Sequence, residues 1–428
     1  MRRSIHAGAA IVTLALALAA CSSGTPAAPT AGSASAPASS AAGGGELVIW
    51  ADNSANVAKA VEPLCQKWAE ANGVKCTVKK FNGGTELEDA LIKGNSSGDV
   101  PDIYEGAHNG IGKMVANGIL APVDLGANKA NFSAAAVAGV TNNGNTYGVP
   151  WAVENIALLT NKKLSPECPA TLDAAVANAK KLIAAGTVTK GLGIAVQIGN
   201  TGDPYHWFPL FSADGGYTFK QLPDGTFDRT DMGIGKEGSI AAAKRLQQLA
   251  NDGIVKASVT YDIARETFAK GKSPYFITGP WQLPEQEKAL GADLMVCPVP
   301  NWEGSQFTSQ PFLGVRTFFQ TAKAKNPVLA STFLSDAAMT TEFMDGMYAT
   351  DPRPPAWNES FTKAATDPFI KAFGEYGQKG LPMPAIPQMD NLFQDWGLAQ
   401  FKVASGSDPE KAMKEAGDSI NKRNAKLG

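Results

Sequence analysis

Histidine is nearly missing: of three in 428 residues, only His108 and His206 lie beyond the first twenty. No Cys-x-x-Cys occurs and the two histidines make no metal-ligand pattern, so nothing reads as a metal site. Charge is scarce as well, at 18% of residues against the usual quarter, with a formal net charge of −2. Lacking a basic excess or a long run of like charge, the chain gives no support to nucleic-acid binding or an interaction tail.

Long apolar runs are also lacking, apart from one at the start. Ala9 to Ala20 follows Arg2 and Arg3 and ends in small residues before Cys21. That is a secretory signal, too short and too abruptly ended for a spanning helix. Leu18-Ala19-Ala20-Cys21 looks like a bacterial lipobox, cut before Cys21, which then carries lipid; an ordinary cleaved signal with a stray cysteine is the blander alternative. Residues 22–45 are Ser, Ala, Pro, Thr and Gly only. Such a segment cannot bury enough surface to order itself and serves as a tether for a soluble body outside the membrane.

About 380 residues remain, more than one core usually holds, so two domains are expected. Gly 44 and Pro 27 beside 44% hydrophobic residues indicate tight turns in a packed protein. Besides Cys21 there are Cys65, Cys76, Cys168 and Cys297, an even number in an oxidising compartment, with three possible pairings. The closeness of Cys65 and Cys76 across one helix-to-strand turn favours Cys65–Cys76 with Cys168–Cys297. Four buried free thiols are the alternative.

"GELVIW" reads as a strand followed by the polar residues Asp52, Asn53 and Ser54. Val57, Ala60, Val61, Leu64, Cys65 and Trp68 then recur at helical spacing up to the stop at Asn72-Gly73. "VKCTVKKF" returns as a strand, completing a βαβ unit and implying a parallel sheet. Helices are expected over 86–93, through "GIGKMVANGIL", and over 172–185, 239–251, 262–270, 329–338 and from 408 onward; strands over "DVPDIYEG" and the long crossing segment "TYGVPWAVENIALLTN". The fold class is α/β, with its ligand crevice beyond the carboxyl ends of strands.

Two catalytic-looking motifs fail on context. "GIGKEG" (Gly233 to Gly238) fits the dinucleotide fingerprint but follows the polar "TFDRTDM" rather than an apolar strand. "GNSSG" (Gly94 to Gly98) fits a nucleophile elbow but follows a helix, and reads as a loop.

What is present instead is a set of aromatics at chain breaks beside polar groups. "GDPYHWFPLFSADGGY" gathers Asp203, Tyr205, His206 and Trp207 around Pro204. "SPYFITGPW" runs as a strand through Tyr275, Phe276 and Ile277, breaks at Gly279-Pro280, and presents Trp281. "MPAIPQMDNLFQDWG" offers Met383, Phe393 and Trp396, and Glu154 interrupts the apolar "VPWAVENIALL". A neutral sugar matches this chemistry, with C–H faces that stack on rings and a rim of hydroxyls that pair with carboxylates and amides. Trp50 and Trp68 read as core, Trp151 and Trp207 as either, and Trp281 as facing the crevice.

From Glu46 onward the chain resembles the sugar-binding components of ABC importers, most closely those of the maltose/maltodextrin type. The blocks are "GELVIW", "PDIYEGAH", "YGVPWAVENIALLTNKKL", "DPYHWFPLFSADGGYTFK", "YDIARETFAKGKSPYFITGPW", "PFLGV" and "MPAIPQM", in order. The resemblance implies a two-lobed periplasmic-binding-protein fold of type II, its lobes joined by crossing strands. Lobe one would take 46–152 and 317–351, lobe two 157–312 and 354–428, with hinges near 153–156, 313–316 and 352–353. On this division each preferred disulfide stays within one lobe.

By the same resemblance Trp281 and Tyr205 look like stacking residues, and Asp203 and Glu154 like hydroxyl-binding carboxylates. Asp52 and Asn53 look like first-lobe contacts, with Glu88 and Asp89 on that lobe's rim. Where the family carries Trp, Ala-His and Asp-Arg, this chain has Gly106, Ala107-His108 and Asn109-Gly110. Where the family has Trp-Tyr and a later Arg, it has Phe393-Gln394 and Gly397, with Trp396 a candidate replacement platform. The expected function is a lipid-anchored extracytoplasmic binder, monomeric and without cofactor or catalysis, that closes on an oligosaccharide and serves an ABC permease. The rivals are a secreted glycoside hydrolase using Glu154 and Asp203, and a binder of a non-sugar solute.

Overall fold

The apolar spacing from Val57 to Trp68 becomes a helix, α1 (Val57–Asn72), in the computed structural model, which describes residues 44–52, 56–223 and 225–427. All of these belong to the unit Gly43–Gly428. The signal over 1–21 with Cys21, the tether up to residue 43, and Asn53 lie outside the described residues. Helix α1 joins two parallel strands, β1 (Glu46–Asp52) and β2 (Lys75–Phe81), paired from Glu46 opposite Lys75 to Asp52 opposite Phe81. Its buried face is Val57, Ala60, Val61, Cys65 and Trp68. Gly73, at φ 65°, ends it by donating its N–H to the carbonyls of Ala69 and Glu70.

Next come α2 (Gly84–Ser97), β3 (Ile103–Ala107), parallel to β1, and the short α3 (Ile111–Ala116). Gly94 to Ser97, expected as a loop, are the last turn of α2. Gly98 is the terminator, because only there does φ reach 78°.

The remaining strands that place the site are β4 (Gly148–Asn155), β5 (Ala157–Asn161), β6 (Tyr275–Thr278), β7 (Leu294–Cys297), β8 (Phe312–Gln320) and β9 (Leu381–Pro382). One sheet has the order β9-β8-β3-β1-β2, with β4 also on β8; the other is β6-β5-β7. The expected parallel pattern holds for β1, β2 and β3, and β9 is parallel to β8. β8 runs antiparallel to both β3 and β4, and the second sheet is antiparallel throughout.

Core membership explains those directions. A first core gathers Leu47, Ile49, Ile103, Val149, Trp151 and Phe318; a second gathers Leu158, Ile194, Phe208, Phe276 and Phe312. β4 leaves the first core and its chain enters the second at Ile156 and Ala157, whereas β8 leaves the second at Phe312 and enters the first at Val315. Two strands that carry the chain in opposite senses must lie antiparallel. A third stretch also leads from the first core to the second. Ala356 and Trp357 still pack in the first core and Ala364 is the next residue in the second. Backbone bonds hold that stretch to β4, from Val153 N–H to Pro354 O and from Ala356 N–H to Trp151 O, both 2.9 Å.

Disulfides join Cys65 to Cys76 and Cys168 to Cys297, with Cα separations of 6.0 and 5.6 Å. Cys65 belongs to the first core and Cys297 to the second.

Candidate functional site

The four residues of β6 are all buried, and the strand ends at Gly279. Pro280 opens a single tight turn, Pro280–Gln282, whose fixed φ suits that first position. The turn swings the Trp281 indole back against Gly279, so that a Cβ at 279 would fall 2.1 Å from the ring. Trp281 is half-buried and packs against the second core, with aromatic and cationic groups around its ring. Tyr205 lies 6.4 Å away between centroids, tilted 31°, His206 stands edge-on at 5.8 Å, and the Arg353 guanidinium sits 5.5 Å above the ring.

Tyr205 and His206 come from α4 (Pro204–Ser212), a stretch read from sequence as irregular. Pro204 at the first helical position and Asp203 as its cap start the helix, the Asp203 carboxylate accepting from His206 N–H at 3.0 Å. The other Asp203 oxygen hydrogen-bonds His206 Nδ1 at 3.0 Å, and Asp203 N–H donates to Gln400 Oε1 at 2.7 Å. Asp203 is thus a helix cap and an orienter of His206. Tyr205 stacks on Phe312, 6.1 Å away at 16°. Its hydroxyl is buried without a hydrogen-bond partner among the described residues. Burial, then the Glu154 charge, raises its pKa well above the usual phenol range.

Glu154 lies opposite Gly314 where β4 and β8 cross. A Cβ on Gly314 would stand 3.4 Å from both Glu154 Oε1 and the Tyr205 hydroxyl, so that missing side chain lets the two approach. The other Glu154 oxygen pairs with Arg353 Nη1. Arg353, 3% exposed, also donates through Nε to Asp351 Oδ1 at 2.9 Å, and its guanidinium faces the Trp151 ring at 5.7 Å. Trp151 in turn donates its indole N–H to Glu105 at 2.9 Å. Arg316 grips Glu105 with two bonds, 2.8 and 2.5 Å. Burial nevertheless raises the Glu105 carboxyl above its ordinary value.

Neither arginine was foreseen. Arg316 is a cation inside the fully buried strand β8, and the reasoning that singled out Glu154 applies to it equally. Arg353 sits in Asp351-Pro352-Arg353-Pro354, where no periodicity marks a buried side.

A second group links elements of the two cores, since α2 and α3 pack in the first and α5 (Asp390–Ala404) in the second. Glu88 of α2 and Asp390, first residue of α5, both face Lys113 of α3, at 3.5 and 3.4 Å. Burial pushes up both carboxyls. Asn109 is half-buried in the turn His108–Gly110, and a Cβ on Gly110 would lie 3.5 Å from Glu88. Asp52 is buried and Asp89 exposed.

Of the three residues named around the Pro-rich entry, Trp396 and Met383 are buried and Phe393 is half-buried. Trp396, offered as a stacking platform, is 2% exposed and packs on Phe211 at 4.5 Å and Phe208 at 6.4 Å, so it is core. The Met383 side chain is buried in the second core, and its carbonyl takes a hydrogen bond from His108 Nε2 at 3.1 Å. Phe393 is half-buried against that core. Trp151 and Trp207, at 2% and 3% exposure, are core as well. Among the described residues no group of three or more His, Cys, Asp or Glu is arranged to hold a metal ion, and no helix is long and apolar enough to cross a membrane.

Two cores joined by three strand-like passages, with aromatics and carboxylates collected where they cross, is the setting in which the comparisons fall. The sequence profile described as bacterial extracellular solute-binding protein matches residues 63–374. The chain belongs to this family. It is 27% identical to the galactooligosaccharide-binding protein of Bacillus subtilis, covering 90% of each chain. It is 25% identical to the maltotriose-binding protein of Pyrococcus abyssi, over 87% of this chain and 80% of that one. A maltooligosaccharide ABC transporter solute-binding lipoprotein of Streptococcus pneumoniae is 26% identical, over 86% and 85%. As a member of the solute-binding family the chain has the two-lobed α/β fold.

Proposed function

We propose that this protein captures a neutral oligosaccharide between its lobes and delivers it to an ABC importer, held at the outer face of the cell membrane by lipid on Cys21. One observation carries the sugar reading. The Tyr205 hydroxyl is buried and unpartnered among the described residues, it and Glu154 Oε1 both bordering Gly314, and the half-buried Trp281 ring is 6.4 Å from the Tyr205 ring. An uncharged hydroxylated ring fits that combination, stacking on the aromatics while its hydroxyls pair with the phenol and the carboxylate. Stacking sets the plane of the sugar and the polar pair sets its rotation in that plane.

Binding works by closure. A ligand that touches both lobes does so only when they are together, so its differential affinity draws the population toward the closed form. The closed form is then the one a permease recognises. The relatives named for galactooligosaccharide, maltotriose and maltooligosaccharide support an oligosaccharide as the ligand class. Catalysis is not part of this reading. Asp203 is engaged by a helix end and His206, and Glu154 by Arg353, within the protein itself.

Calorimetry across maltose, maltotriose, longer α-glucans and galactooligosaccharides, with a reducing-sugar assay on the same samples, tests the proposal. Saturable binding without turnover is the expected result. Turnover would replace the binder by a hydrolase, and absence of binding to every sugar would remove the carbohydrate reading.

A further inference from the structure

The most heavily engaged side chain at the crossing is one that the sugar reading does not itself require. Arg353 pairs with Glu154 of β4 and with Asp351, and its guanidinium faces the rings of Trp151 and Trp281. It comes from the stretch that leads into the third passage, Glu154 from the first passage, and Gly314, which lies opposite Glu154, from the second. One planar cation thus meets a first-core indole, the indole at the chain break, and the Glu154 carboxylate.

We propose that Arg353 is a positioning residue of the carbohydrate site, fixing the Glu154 carboxylate and the Trp281 ring relative to each other. It acts through these two groups and not by touching the sugar. Arginine suits the task because its flat fork bonds carboxylates in defined directions and lies against aromatic faces. The geometry shows what it sets. One Glu154 oxygen is taken by Nη1, which leaves Oε1 turned toward Gly314 and the Tyr205 hydroxyl. The Trp281 ring lies against the Gly279 backbone, with the guanidinium 5.5 Å from its centroid. The distance between stacking face and hydrogen-bonding edge is therefore a property of Arg353.

Arg316 supplies the contrast. It is buried and ion-paired too, but its partner is Glu105, and it has no ring contact with Trp281. Loss of either arginine strands a buried carboxylate and lowers stability; only loss of Arg353 releases the site.

This inference rests on the sugar reading, so the experiment reads the two separately. Wild type, Arg353→Met, Arg353→Lys and Arg316→Met are compared for maltotriose and galactooligosaccharide affinity by calorimetry, corrected to the folded fraction from thermal melts. Arg353→Met is expected to bind on the order of a hundredfold more weakly, with partial recovery in Arg353→Lys, which restores charge without the fork. Arg316→Met is expected to melt earlier but to keep affinity within a few-fold of wild type. Should Arg353→Met not fold, the double variant Asp351→Asn/Arg353→Met, which removes one stranded carboxylate, takes its place. Equal affinity in wild type and the Arg353 variants, or an equal loss in Arg316→Met, overturns the positioning role and leaves the sugar reading intact. Failure of wild type to bind either sugar overturns both.

Discussion

Gly279 and Trp281 are in contact so close that a single added carbon at 279 would lie 2.1 Å from the indole. The backbone at Gly279 is extended, with φ −104°, a conformation alanine adopts freely. The cost of Gly279→Ala is therefore all in the ring, which must leave its place over the strand end. Sugar affinity should fall by about tenfold or more, with a stability loss of about 1–3 kcal/mol from overpacking. Calorimetry and a melt on the same protein check this; an unchanged affinity would mean that the ring's position does not matter to binding.

Trp281 and Trp396 should part company when each is replaced by alanine. Trp281 is half-buried at the crossing, so Trp281→Ala should weaken sugar binding by about tenfold or more while the fold survives. Trp396 is packed between core rings, so Trp396→Ala should cost about 3–5 kcal/mol of stability and leave the affinity of the folded fraction near wild type. The reverse pattern would contradict the placement of both rings.

His108 gives a pH dependence with a defined sign. Its Nδ1 accepts from Val315 N–H at 3.0 Å and its Nε2 donates to the Met383 carbonyl, an arrangement only the neutral ring makes. Burial pushes its pKa down to about 4 from an ordinary 6.5. Between those values the unfolded chain takes up a proton that the folded chain refuses, so stability falls as pH drops from 6.5 toward 4, by up to about 3 kcal/mol. Above 6.5 the ring contributes no pH dependence. Glu88, Glu105, Asp351 and Asp390, all raised by burial, act in the opposite sense, losing stability as pH rises through their titration. The difference between wild type and His108→Gln in urea melts from pH 7.5 to 4 isolates the histidine. Parallel curves would show that it does not contribute.

The two disulfides should differ in weight. Cys168–Cys297 spans 129 residues and Cys65–Cys76 spans 11. Chain entropy assigns about 5 kcal/mol to the long loop and about 3 to the short one. Urea melts of the two double-alanine variants check the order, and a larger loss for the short loop would refute it.

The sequence was legible where one face of an element is buried and the other is wet. Helix α1 and the passage through β4 and β5 were read closely, the first from its repeat and the second from its unbroken apolar run. Helix α4 was missed because all its residues except Tyr205 are buried, which erases the repeat a surface helix carries. Trp396 was misjudged for a different reason. Leu392, Trp396, Ala399 and Val403 make one buried stripe at helical spacing, but the prolines before them drew the stretch toward a loop. Arg316, a cation in an apolar strand, carried the same signal as Glu154, whereas the pairing of Arg353 with Glu154 spans 199 residues and leaves no local pattern.

Both sulfur bridges lie to one side or the other of the three passages: Cys65 is rooted among the residues around Ile49, Cys297 among those around Phe276. Oxidation outside the cell hardens each half on its own and puts no covalent tie over the joint.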